Sequence, residues 1–122
     1  MGINIIGMNA QSGKGREFSS TIKGWEILWG YCVLVAPTVI SNKLAVDCNY
    51  NSNVEVEESV AIRLAAMLEV MLENGSTEKF GNLWNERLES IDPMLTKRYP
   101  FGKVRVEEFS EFLKECGGFR VT

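Results

Sequence analysis

The sequence predicts a mainly α, α+β fold: a single globular domain of residues 1–122, with about four helices and a small sheet pairing the N- and C-terminal strands. Three observations carry this. Apolar residues recur at three- and four-residue spacing through most of the interior of the chain. Short β-branched or aromatic runs, Ile3-Asn4-Ile5-Ile6 and Phe119-Arg120-Val121, stand near the two ends. A length of 122 residues suits one core and is short for two.

The elements follow in order. Residues 3 to 8 read as a strand, and the polar, glycine-containing stretch 9 to 19 as a loop. From about Ser20 the pattern turns helical. Ile22, Trp25, Leu28, Trp29 and Cys32 form one face, which Ile27, Tyr31 and Leu34 widen. Pro37 pushes Ala36 toward an extended conformation and ends that helix. Residues 38 to 46 fit either a strand or another helical turn. A helix from about Glu55 to Glu73 carries Val60, Leu64, Met67, Leu68 and Met71 on one face, with Glu57 and Glu58 at the positive end of its dipole. Asn74-Gly75 stops it, and Ser76 or Thr77 caps the next helix, which places Phe80, Leu83, Trp84, Leu88 and Ile91 on one side. Met94 to Lys103 reads as a basic connection, and Val106 to Cys116 as the last helix, closed by Gly117-Gly118.

Composition bounds the function. A net charge of −3 and a pI near 5.1 give no electrostatic reason to wrap nucleic acid. Histidine is absent, which removes the commonest general base and zinc ligand. Cys32, Cys48 and Cys116 are widely spaced, and an odd count without a leader pattern points to a reducing cytoplasm rather than a disulfide framework. The most apolar stretch, residues 27 to 39, falls short of the ~20 residues that span a bilayer. The expectation is therefore a cytoplasmic, non-catalytic protein without a cofactor, and with no membrane partner.

Two segments resemble ligand motifs. Asp47, Asn49, Asn51, Asn53, Glu55 and Glu58 fall at positions 1, 3, 5, 7, 9 and 12 of an EF-hand calcium loop. Against this, Ser52 occupies the position where glycine makes the sharp turn, and Tyr50 adds bulk at position 4. An Asx-rich run before a helix is also ordinary loop chemistry, so a loop without tight calcium is expected. Gly7 to Gly15 resembles a phosphate-binding loop after a strand. Five residues rather than four separate Gly7 from Gly13-Lys14, and Gly15 stands where the magnesium-binding hydroxyl belongs. A polar loop is the better reading.

Trp25, Trp29, Tyr31 and Trp84 could stack on a base, but at helical spacing beside leucine and isoleucine they read as core. Lys97, Arg98, Tyr99, Lys103 and Arg105 stand out in a net acidic chain, on a connection interrupted by Pro100 and Gly102. They are the candidate interaction site, because arginine and tyrosine often dominate interface energetics.

Three segments together carry a resemblance: Trp25-Glu26-Ile27-Leu28-Trp29-Gly30-Tyr31, the Asn-rich stretch running into the Val54–Gly75 helix, and Phe109 to Phe119 with its Cys116-Gly117-Gly118 end. In that order they resemble a loose group of small, uncharacterised phage- and prophage-associated proteins. The resemblance implies an accessory protein that binds a host protein, an anti-defence inhibitor being one such role. The alternative is a protein that binds or sequesters a small nucleotide ligand, and a calcium-binding module comes third.

Overall fold

The computed structural model describes residues 2–50 and 53–122. The chain runs β1 (Gly2–Gly7), a 3-10 turn (Gly13–Gly15), β2 (Glu17–Thr21), α1 (Ile22–Val35), α2 (Asn42–Tyr50), β3 (Val54–Val56), α3 (Glu58–Glu73), α4 (Ser76–Ile91), α5 (Pro93–Arg98), α6 (Lys103–Glu115) and β4 (Phe119–Val121). The fold is α+β and mainly helical, as the periodicity predicts. The terminal strands do pair, Ile5 opposite Val121 and Gly7 opposite Phe119. They form the middle of a four-stranded antiparallel sheet of order β2-β1-β4-β3.

The outer strands are the first corrections. Residues 17 to 21, expected within a loop, form β2, because Phe18 pairs with Ile5 and shares its buried face. Helix α1 consequently starts at Ile22, with the Thr21 hydroxyl accepting a hydrogen bond from the Gly24 amide. Residues 54 to 56, expected as loop and first helical turn, alternate Val-Glu-Val and add the strand β3.

Further boundaries move for local reasons. Helix α2 takes residues 42 to 46 of the ambiguous region and continues through Tyr50 into the stretch expected as a loop. Ser41 caps it by accepting from the Leu44 amide. Gly75, with φ of 82°, is the N-cap of α4, so neither Ser76 nor Thr77 caps it. Thr77 is instead fully buried, its hydroxyl 2.8 Å from the Tyr31 phenol. The expected basic connection contains a helix, α5, because Pro93 suits its first position and Asp92 accepts from the Met94 amide.

The sheet buries Ile5, Phe18, Val56, Phe119 and Val121 against α6 and its neighbours. Phe109 of α6 meets Phe18 at 5.0 Å and Phe119 at 6.2 Å between ring centroids. Trp25 and Trp29 stack at 5.5 Å, and their indole N–H groups donate to the Cys48 and Ala45 carbonyls of α2. The indoles thus serve as fasteners between α1 and α2 as well as core filling. Among the described residues, no helix is long and apolar enough to cross a membrane.

Candidate functional site

The metal-loop spacing does not survive folding. Asp47 and Asn49 lie on α2, Asn53 in a turn with φ of 61°, Glu55 in β3, and Glu58 at the first position of α3. Asn51 lies outside the described residues. The run, expected to be a loop without tight calcium, is instead divided between a helix, a turn, a strand and a second helix. Among the described residues, no group of three or more acidic or cysteine side chains is arranged to hold a metal.

The phosphate-loop look-alike has a structural explanation. The amides of Met8, Asn9 and Gln11 donate to the carbonyls of Gly118, Cys116 and Glu115 at 2.7–2.9 Å. Backbone N–H groups that a phosphate loop would aim at an anion thus satisfy the carbonyl end of α6. Lys14 pairs with Glu111 at 3.0 Å.

The three thiols are buried, and burial raises the pKa of each, that of Cys48 to about 12 with a further contribution from Asp47. Raised thiol values stabilise the fold below about pH 9, where the unfolded thiols are also protonated. That contribution is lost as pH rises through the folded values, so the melting temperature is expected to fall above about pH 9. Replacing Cys48 by alanine should flatten that alkaline slope in a melting series from pH 8 to 11.

The expected interaction cluster is split. Lys97 and Arg98 project, exposed, from the last turn of α5, and Tyr99 is its half-buried C-cap. Lys103 reaches Glu78 on α4 at 3.6 Å. Arg105 belongs to the scaffold: its guanidinium lies 4.3 Å from the Phe18 ring centre, donates to the Ser19 carbonyl at 2.7 Å and meets Glu108 at 3.0 Å. It blunts the open edge of β2. Reversing Arg105 to glutamate should therefore cost about 1–3 kcal/mol in urea unfolding, whereas reversing Arg98 should stay within about 0.5 kcal/mol.

A different surface stands out. Between α1 and α4 an open cleft of about 470 Å³ is lined by Glu26, Ile27, Gly30, Tyr31, Leu34, Phe80 and Trp84. Tyr31 and Phe80 pack at 4.7 Å, and Phe80 and Trp84 lie nearly parallel at 6.1 Å. The Trp84 indole is fixed by donating to the Tyr99 carbonyl, which ties α5 and its basic last turn to this wall. Leu34, expected in the core, is 62% exposed, and further along α4 Leu83 and Ile91 are 56% and 65% exposed. Gly30, exposed among the lining residues, leaves open space, since a Cβ there would meet nothing within 4 Å. Glycine inside a helix costs roughly 0.5–1 kcal/mol relative to alanine, and no internal contact requires it here.

The periodicity treated these residues as core filling. The available signal was an apolar face too broad for one buried stripe, running from Ile27 through Tyr31 to Leu34 with a glycine in its midst. No protein-family model, no curated protein and no solved structure matches this chain.

Proposed function

We propose that this protein is a non-catalytic binding domain that engages a partner protein through the α1–α4 cleft. The observation that carries the reading is the open apolar cleft itself, lined by Gly30, Leu34, Phe80 and Trp84. Aromatic walls around a shallow groove suit the anchor side chains of an amphipathic partner segment. Lys97 and Arg98, attached to the same wall through Tyr99, favour a partner with acidic residues beside its apolar anchors. The cleft lining carries no lysine or arginine, and its one charged residue, Glu26, is paired with Lys23 at 3.4 Å. The lining itself thus offers a phosphate no charge partner, which weighs against the nucleotide alternative. The phage-type resemblance supplies the context, an accessory protein whose partner is a host protein.

The test uses two substitutions with opposite structural consequences. Gly30→Trp sets an indole into the open cleft from an exposed position where a Cβ meets nothing within 4 Å. Leu34→Asp places a charge on an exposed anchor. Both variants should melt within a few degrees of wild type and lose capture of a partner from host lysate. Purified partner should then bind at least tenfold more weakly to each, a loss expected of hot-spot positions. Capture unaffected by both substitutions would sink the proposal, as would a nucleotide screen showing ligand binding that Gly30→Trp abolishes.

A further inference from the structure

The two edges of the sheet are treated differently. On β2, Arg105 covers the outward Ser19 carbonyl. On β3, no described strand pairs with the outer side. The Thr122 amide donates to the Asn4 carbonyl, so the pairing alternation turns the backbone of Arg120 toward β1 and that of Glu55, opposite Arg120, away from β4. The Glu55 N–H and C=O therefore point off the open edge, while Val54 and Val56 carry the bonds to β4.

Beside that edge lies a second cleft, of about 350 Å³, between β3, α2 and the start of α3. Val39, Leu44, Val54 and Val60 supply its apolar wall, and Lys43, paired with Asp47 at 2.6 Å, lies on its rim. It shares no lining residue with the α1–α4 cleft.

We propose that the β3 edge and this cleft form a docking site for an extended peptide segment of a partner protein, with the pattern apolar–basic–apolar. The pattern follows from strand geometry. A strand added outside β3 hydrogen-bonds through Glu55, and its residue opposite Glu55 shares the outer face of the sheet. The residues on either side lie opposite Val54 and Val56, so they point inward, to the apolar cleft. On the outer face Arg120 stands opposite Glu55, and a basic residue beyond Glu55 continues the row with alternating charge. A second copy is disfavoured as the occupant. Two β3 strands related by a two-fold axis through Glu55 place that carboxylate against its own copy.

The experiment titrates the full chain with the blocked pentapeptide Thr-Val-Lys-Val-Thr and with its glutamate counterpart Thr-Val-Glu-Val-Thr. Amide NMR shifts and calorimetry provide the readout. The lysine peptide should saturate and perturb the Glu55 amide, and the glutamate peptide should bind about fivefold or more weakly. Glu55→Lys should reverse that preference. Glu55→Pro removes the outward N–H, which the pairing with β4 does not use, and should abolish binding. No saturation by about 1 mM, or equal binding of both peptides to wild type and Glu55→Lys, would overturn the proposal. A dimer seen in sedimentation and dissolved by Glu55→Lys would assign the edge to a second copy and overturn it too.

Discussion

Replacing Trp25 by alanine should lower the unfolding free energy by about 3–5 kcal/mol, the range for truncating a large buried aromatic. The side chain is 1% exposed, stacked on Trp29 and set edge-on to Phe109 at 5.5 Å. Its indole also donates to the Cys48 carbonyl at 2.9 Å, so truncation leaves that buried acceptor without this partner while opening a cavity. Trp84 makes an informative contrast. It is only half-buried, and its ring lines an open cleft, so Trp84→Ala should cost about half as much. Urea unfolding of both variants checks the difference. Equal losses would mean that the α1–α4 cleft is closed in solution, against the binding proposal.

The long elements were legible because one principle governs each of them. The faces around Trp25, Leu64 and Phe109 recur at helical spacing, and all three residues are buried in the structure. The terminal pairing followed from two β-branched or aromatic runs that had no nearer partner. The short elements were not legible, because their conformation is settled by contacts distant in sequence. Phe18 is in a strand because Ile5 and Phe109 bury it, and nothing in residues 9 to 19 announces that. The Asn-rich stretch suggested one loop, yet the Trp25 indole binds the Cys48 carbonyl on its helical first part, and β4 recruits Val54 to Val56. Long-range pairing overrode local turn preference at both places.

The candidate site was hidden by the same pattern that revealed the fold. Leu34 and Ile91 meet every periodicity criterion for a core residue, and both are exposed. Spacing identifies the side of a helix that is apolar, but the partner of that side is a tertiary fact. Arg105 shows the converse. Read as part of an exposed interaction cluster, it caps a sheet edge and covers an aromatic ring, because α6 begins three residues earlier than the periodicity suggested.

The glycines of the phosphate-loop look-alike yield the other large effect. Gly15→Ala is expected to destabilise the protein by about 3 kcal/mol, at the upper end of the overpacking range. A Cβ there would overlap the Glu115 carbonyl and approach the Cys116 amide at 2.8 Å. Both neighbours are backbone, so relief requires the loop to lift away from the end of α6. That movement would strain the bonds from Asn9 and Gln11 to the Cys116 and Glu115 carbonyls. Gly13, two residues earlier, is the built-in control, since a Cβ there meets nothing within 4 Å and its φ is not positive. Gly13→Ala should be neutral or stabilising by up to about 1 kcal/mol, through the reduced freedom of the unfolded chain. Thermal and urea unfolding of the two variants separates the roles. If the segment existed to cradle phosphate, neither alanine would change the stability of the unliganded protein by much. A large loss at Gly15 beside none at Gly13 is the signature of a loop held against a helix end by close backbone approach.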